Sequence, residues 1–263
     1  MPELPDVEVF KRDLDAKALR QSVAKVHVGS RAGRLLHGIT PSMLDQKLRG
    51  RALASTRRHG KYLFARADDA GWLVLHFGMS GRLAYAKSAE RLPEDAEFLL
   101  QFENGAGLAY LAPRKLGRID WADDPDDYAA ARGLGPDALA IDYAGFRERA
   151  RGRRGGVKAW LMDQGVLAGV GNAYSDEILF QAGIHPTHPV AKLDEGALKK
   201  LHQTMRRVLQ QAIDADADRQ AMPDGFLLPQ RRAGGRCPGS GEPVKTIKVG
   251  GRTAYYCPQC QPL

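Results

Sequence analysis

No stretch of this sequence approaches the roughly 20 apolar residues of a membrane-spanning helix, and charge is scattered through residues 1–20, so a spanning segment and a signal peptide are not expected. The expectation is a cytoplasmic chain with no membrane partner. Only three cysteines occur in 263 residues, all between positions 237 and 260. Such crowding argues against a disulfide framework and reads as metal ligation. Acidic residues are in deficit, 31 against 39 basic ones, and the resulting net charge of +8 suits a polyanionic partner. Internal repeats and low-complexity tracts are also missing. Apolar content is ordinary at 43%, enough at this length for two modest domains, each with its own core.

The most organised stretch is Val157–Pro186. Apolar stripes at Val157, Trp160 and Leu161, then at Tyr174, Ile178 and Leu179, predict two helices. Between them lie Gly165, Gly169, Gly171 and Asn172, glycines that permit backbone angles closed to other residues and an asparagine expected to cap the second helix. A turn of this kind exposes backbone N–H groups at a helix N-terminus, a seat for phosphate. The same pattern also fits an ordinary helical hairpin packed in a core.

The chain opens Met1-Pro2-Glu3-Leu4-Pro5-Asp6-Val7-Glu8. Prolines suit a helix entry, acidic residues complement its positive end, and Val7, Phe10 and Leu14 form a stripe, so a helix is predicted from about Leu4 to Leu19. Removal of Met1, expected before a residue as small as proline, exposes a secondary amine beside the Glu3 carboxylate. With reference pKa values near 8 and 10.4, roughly a tenth of an α-amine is neutral at pH 7 against under about a thousandth of a lysine. A terminal proline can therefore attack a carbon electrophile and form an iminium directly, with Glu3 shuttling protons.

From Ser22 to Trp121 the pattern becomes short alternating runs: Val23–Val28, Leu48–Thr56, Tyr62–Arg66, Trp72–Phe77, Arg82–Ala86, Phe98–Phe102, Leu108–Leu111 and Arg118–Trp121. They predict a β-sandwich or flattened barrel. Three of its turns carry unusual side chains. One holds Arg57, Arg58, His59 and Lys61, another sets Met79 between glycines after His76, and the third mixes Arg114, Lys115 and Arg118 with Leu116. Singly each reads as a solvated turn; together, cations with apolar wedges suit holding phosphates and parting stacked bases.

The acidic stretch Asp123–Asp127 and the Gly/Pro segment through Pro136 mark a boundary. Beyond it, helices are predicted near Tyr143–Arg151 and from about Leu193 to Ala215. In the tail, Val244–Val249 and Arg252–Tyr256 alternate around Gly250-Gly251, a hairpin signal. Cys257 and Cys260 have zinc-knuckle spacing and Cys237 begins a second knuckle, but Ser240 stands where its partner cysteine belongs. Ser240, Glu242 or water could complete a zinc shell; otherwise the hairpin is metal-free and held by its apolar pairs.

Taken in order, Pro2–Glu8, Gly60-Lys61-Tyr62-Leu63, His76-Phe77-Gly78-Met79-Ser80-Gly81, Pro113-Arg114, Gly169–Glu177 with Ala182–Pro186, and the Cys257 finger resemble the formamidopyrimidine-DNA glycosylase and endonuclease VIII family, the former more closely. Nearly the whole chain is covered. The resemblance implies an α+β protein with a β-sandwich domain over residues 1–122 led by its N-terminal helix. A linker over 123–142, a helix-two-turn-helix domain over 143–235 and a zinc-finger-like β-hairpin over 236–263 would follow. Double-stranded damaged DNA would lie in the cleft between the domains of a monomer associated with the nucleoid when bound.

By the same resemblance Pro2 is the nucleophile at C1′, Glu3 the general acid/base, and Lys61 and Glu177 act around the reacting nucleotide. Asn172, Arg252 and His76 are implied on DNA, the first two as phosphate contacts, while Met79 and Arg114 fill the hole of an extruded base. Cys237, Cys257 and Cys260 are implied zinc ligands, and no organic cofactor is expected. The implied activity is a bifunctional glycosylase and abasic-site lyase that favours formamidopyrimidines and 8-oxoguanine. Extrusion costs a few kcal/mol of stacking and pairing, offset by wedges and phosphate contacts.

Four departures bear on this. Leu116 replaces the usual intercalating phenylalanine, Ala112 an aspartate and Ser240 a cysteine, and the segment Asp216–Gly235 is shorter than the family's base-covering loop. Alternatives are a preference for oxidised pyrimidines or abasic sites, a lesion-binding protein without catalysis, or a transcription regulator.

Overall fold

The computed structural model describes residues 1–30, 32–93 and 96–263. Two compact units emerge: Met1–Pro2 with Asp6–Arg132, and Glu3–Pro5 with Gly133–Leu263.

Helix α1 (Leu4–Lys17), which belongs to the first unit from Asp6 on, carries Asp6 in its first turn and Lys17 in its last, matching the helix dipole. Its stripe of Val7 and Leu14 is buried, with Phe10 packed alongside. There follow β1 (Val23–Val28), α2 (Pro41–Leu48), β2 (Leu53–His59), β3 (Tyr62–Ala67), β4 (Trp72–His76), β5 (Arg82–Ala86), β6 (Phe98–Phe102), β7 (Gly107–Leu111), β8 (Arg118–Ala122) and α3 (Pro125–Ala131). The strands form two antiparallel four-stranded sheets, ordered β1-β6-β7-β5 and β2-β3-β4-β8. On β6, buried Phe98, Leu100 and Phe102 alternate with less buried Leu99 and Gln101, the period of a strand with one face inward. These residues share a core with Leu63, Ala65, Leu73 and Leu75 of the other sheet, making a sandwich. On β3 the run Leu63-Phe64-Ala65 is buried without alternation. Phe64 and Val74 face outward from the core and are covered by Ala122 and by Tyr128 of α3.

Two predicted boundaries change. Leu48 ends a helix instead of starting a strand, because the Thr40 hydroxyl accepts from Met43 N at 3.2 Å and Pro41 begins the helix, placing Leu44 and Leu48 on one buried face. Within the expected linker over 123–142 stands α3, where Asp124 Oδ1 accepts from Asp126 N at 2.7 Å and Asp127 N at 3.1 Å.

Two loops of this unit meet backbone to backbone. Gly78 has φ +56°, and a Cβ there would collide with the Leu116 carbonyl. At Gly117 a Cβ would collide with the Tyr110 hydroxyl, which donates to His76 O at 2.9 Å.

The second unit packs α4 (Tyr143–Ala150), α5 (Val157–Met162), α6 (Asn172–Ala182) and α7 (Glu195–Asp214) around one core, followed by the hairpin β9 (Lys245–Val249) and β10 (Arg252–Tyr256). Helix α7 buries Leu198, Leu201, Met205, Val208, Leu209 and Ala212, a stripe at helical spacing, and is capped by Asp194. Gly250 and Gly251 both have positive φ, +55° and +74°, as a tight two-residue hairpin turn requires.

Replacing Gly78 with alanine is expected to lower the denaturant midpoint by more than replacing Gly105, whose φ is +83° but whose surroundings hold no atom within 4 Å. Strain alone costs about 1–3 kcal/mol, and the collision adds to it at position 78. Equal midpoint shifts would contradict the backbone contact between the loops.

Candidate active site

The N-terminus of α6 is occupied by the chain's own third residue. Glu3 is 2% exposed. Its Oε2 accepts from Gly171 N at 2.7 Å and Tyr174 N at 3.3 Å, and its Oε1 from Ala173 N at 2.8 Å. The arrangement suits the positive end of a helix, where N–H groups lack partners. Glycine is required here for access: a Cβ at 171 would collide with the Glu3 carboxyl and one at 169, where φ is +117°, with Leu4. Leu4 N donates to Gly169 O at 3.1 Å, completing the dock.

This arrangement corrects two expectations. Asn172 is the first helical residue and Gly171 the cap, with Glu3 supplying the side-chain oxygen that glycine lacks. The N–H groups read as a phosphate seat are filled by that carboxylate. Among the three glycines of the turn only Gly169 has positive φ.

Pro2, half-buried, directly precedes Glu3. With Met1 attached its nitrogen is an amide without N–H; loss of Met1 turns it into a secondary amine held next to a fixed carboxylate.

Further into α6, Asn172 Nδ2 donates to Thr253 O at 3.2 Å, joining the helix start to the residue after Arg252. Arg252 is exposed, its Nη1 3.8 Å from Met162 Sδ. Asn172 O accepts from Lys158 Nζ at 3.0 Å and Arg231 Nη2 at 3.2 Å. Lys158 Nζ also lies 2.7 Å from Asp176 Oδ1 and donates to Ser175 Oγ at 2.6 Å, while Arg231 Nε donates to Asp176 Oδ2 at 2.8 Å. Burial pushes Lys158 below the usual lysine range and Asp176 above the usual carboxylate range, and their attraction opposes both shifts. The sequence reading missed all three. A lysine in the otherwise apolar α5 and an aspartate among the apolar residues of α6 were the available signal; Arg231 gave none.

Glu177 is wholly buried and accepts from Gln181 Nε2 at 2.8 Å and Leu228 N at 2.7 Å. Burial raises its pKa to about 7. It ties the backbone at 228 to α6.

In the first unit, the tip of the β2–β3 hairpin is less available to phosphate than expected. Arg57 makes a two-pronged pair with Asp126, and Arg58 Nε donates to Glu8 Oε2 at 2.7 Å, so internal carboxylates engage both. Lys61 is buried in the two-residue turn itself. Opposite the neighbouring Tyr62 on β4 lies His76, their rings 4.7 Å apart. Burial, with the cations Lys61, Arg118 and Arg132 nearby, lowers the His76 pKa to about 4, so its imidazole is neutral near pH 7. Beyond it the two joined loops present Met79, 44% exposed, Leu116, 55% exposed, and exposed Arg114. Exposed apolar side chains on backbone fixed by glycine contacts can act as wedges.

In the tail, Cys237, Cys257 and Cys260 place their sulfurs within 4.8 Å of one another, with Cys237 and Cys260 Sγ 3.7 Å apart. Tetrahedral zinc with bonds of about 2.3 Å sets sulfurs about 3.8 Å apart, so the cluster fits a metal ion. Although burial resists ionisation of Cys257, hydrogen bonds with Ser240, the Cys260 amide, Cys237 and Cys260 draw its pKa down to about 7.

Two-dimensional NMR of the histidine rings should show His76 titrating with a midpoint near 4. The unfolded chain binds the proton more readily between about pH 4 and 6.5, so this group's contribution to stability is complete above about pH 6.5 and is lost as pH falls toward 4. A midpoint near 6.5 would contradict the burial.

A family model described as the formamidopyrimidine-DNA glycosylase N-terminal domain matches residues 1–119, and one described as the H2TH domain of the same enzyme matches residues 133–223. A formamidopyrimidine-DNA glycosylase of Methylococcus capsulatus is 36% identical, over 99% of this chain and all of that protein. Among solved structures, the Lactococcus lactis enzyme with DNA containing FAPY-dG is 28% identical with a TM-score of 0.88, over 99% of this chain and 100% of that one. A MutM complex with DNA containing carbocyclic 8-oxo-G is 28% identical with a TM-score of 0.87, each chain covered completely. With both family domains and full-length relatives matched, this chain belongs to the formamidopyrimidine-DNA glycosylase family and is a DNA glycosylase of base excision repair.

Proposed function

We propose that the protein is a bifunctional glycosylase and abasic-site lyase that acts as a monomer on oxidised bases in double-stranded DNA, ring-opened and oxidised purines before pyrimidines. In this reading the Pro2 nitrogen, freed by loss of Met1, attacks C1′ of the damaged nucleotide. The bond from C1′ to the base breaks and the base leaves with the proton given up by the amine; the C1′–O4′ bond then opens, O4′ taking a proton from Glu3, as the nitrogen lone pair forms the iminium. That cation acidifies the C2′ proton, whose removal expels the 3′ phosphate and cuts the strand. Glu3 moves protons at the sugar.

Lys61, His76, Asn172 and Arg252 hold the backbone phosphates, with His76 serving as a neutral donor. Met79, Leu116 and Arg114 occupy the gap left by the extruded base. Leucine fills space there but stacks less well than an aromatic ring. Glu177 acts as a positioning residue: wholly buried, it ties the backbone at 228 to α6. The purine preference is supported by relatives solved with FAPY-dG and 8-oxo-G DNA. Zinc is the proposed occupant of the Cys237, Cys257 and Cys260 cluster, where it would brace the hairpin that carries Arg252.

The observation that carries this reading is the dock of Glu3 on the amides of Gly171, Ala173 and Tyr174, which fixes the residue beside the nucleophile. Borohydride trapping on duplexes with single defined lesions tests it. Protein lacking Met1 is expected to give a covalent adduct and protein retaining it none. Gly171→Ala, folded by circular dichroism, should lose about a hundredfold in trapping rate, the scale of a 1 Å misplacement. Salt-sensitive binding without base release or adduct would overturn catalysis in favour of lesion binding alone.

A further inference from the structure

We infer that Ser240 is the fourth ligand of a three-cysteine, one-serine zinc centre; this rests on the zinc reading above. The two knuckles, Cys237-Pro238-Gly239-Ser240 and Cys257-Pro258-Gln259-Cys260, share a backbone pattern. Gly241 N donates to Cys237 O at 2.8 Å, and Gln261 N donates to Cys257 O at 2.9 Å. Each knuckle thus closes on itself one residue past its second ligand position, and Ser240 falls where Cys260 falls in the other.

The side-chain geometry agrees. Ser240 Oγ lies 3.3 Å from Cys257 Sγ, and this contact is the edge opposite Cys237–Cys260, where the sulfurs are 3.7 Å apart. Zinc–sulfur bonds of about 2.3 Å and zinc–oxygen bonds of about 2.1 Å at tetrahedral angles give edges of about 3.6 Å for S–O and about 3.8 Å for S–S. Ser240 Oγ also accepts from Glu242 N at 3.3 Å, as Cys257 Sγ accepts from Cys260 N at 3.4 Å, so the oxygen is held by a backbone amide in the way a ligating sulfur is. Glu242 offers its amide to this oxygen, and its side chain is exposed.

A neutral hydroxyl donates less strongly to zinc than a thiolate and leaves the centre at a charge of −1 where four thiolates would give −2. The metal is therefore held but exchangeable, and the milder charge suits a hairpin that offers Lys245, Lys248 and Arg252. The base of the finger has anchors besides the metal. Buried Gln261 donates to Ile184 O at 2.8 Å and accepts from Cys257 N at 3.0 Å, and Phe180, Leu227 and Val244 pack against the two buried cysteines. Variants at 240 are thus expected to fold.

The test uses the full chain, with zinc content measured after gel filtration, zinc release timed against a chelating dye, and the visible spectrum recorded after cobalt(II) substitution. The parent should carry zinc and show thiolate-to-cobalt charge transfer with tetrahedral ligand-field bands. Loss of a direct ligand should matter at least as much as the roughly tenfold that an outer-shell partner contributes. Ser240→Ala is therefore expected to release zinc at least about tenfold faster, and Ser240→Cys to release it more slowly and with stronger cobalt bands. Identical release rates and cobalt spectra for the parent and Ser240→Ala would overturn the inference, leaving water as the fourth ligand and the zinc reading intact. If the parent binds neither zinc nor cobalt, the zinc reading fails and the inference goes with it.

Discussion

The seat of the Glu3 carboxylate on the first amides of α6 is the contact on which the placement of the chain's first residues depends. A chain terminus is ordinarily among the least ordered parts of a protein. Here three N–H donors converge on one buried side chain, and the residue before it lies only about 3.8 Å away from Cα to Cα. Pro2 is thereby confined without a strand or disulfide to hold it. Hydrogen bonds to a charged group contribute about 1.5–3 kcal/mol each, so the dock can offset the entropy of ordering a few residues. The absence of side chains at 169 and 171 is what admits Glu3 and Leu4, and the glycine-rich turn is best understood as the receptor for the N-terminus.

Elsewhere too, exposed side chains are positioned by close packing of the backbone that carries them. Met79 and Leu116 are exposed, but the loops that carry them meet where Gly78 reaches the Leu116 carbonyl, and Gly117 packs on the Tyr110 hydroxyl of β7. An apolar side chain on a loose loop would fold back onto the nearest core; on these loops the backbone leaves it in solvent. The basic residues divide the same way. Arg57 and Arg58 brace the sandwich through Asp126 and Glu8, whereas Arg114 and Arg252 stay exposed. Net charge therefore overstates the cations available to a polyanion.

Periodicity made much of the fold legible. The alternation of β6, the stripe of α7 and the Gly250-Gly251 turn each report a local rule that the structure keeps. Helix α2 is hidden in the sequence because Leu48 fits either a helical or an alternating pattern, and the deciding signal, Thr40 before Pro41, is a cap. In the site, residue types and their order were readable while pairings were not. Asn172 has the chemistry of a cap, and nothing local to it indicates that a carboxylate 169 positions earlier takes the role. The same applies to Arg57 and Arg58, whose partners are set by tertiary structure.

The cluster of Lys158, Asp176 and Arg231 shows why such pairings matter. Burying these charges is costly, and an apolar replacement of similar volume is often no less stable. What the cluster supplies is direction. Lys158 comes from α5 and Arg231 from the segment before the finger, and both donate to the Asn172 carbonyl as well as to Asp176. Arg231 also lies over the Tyr255 ring of β10 at 4.6 Å, while the Asn172 amide reaches Thr253 O on the same strand. The first residue of α6 is thus fixed from two sides, and the hairpin bearing Arg252 is referenced to it. Because Glu3 binds the amides beside Asn172, a single buried charge network sets the position of the N-terminal dock and of the finger strand together. An apolar core could hold α6 in place, but it could not orient the carbonyl and amide groups that both attachments use.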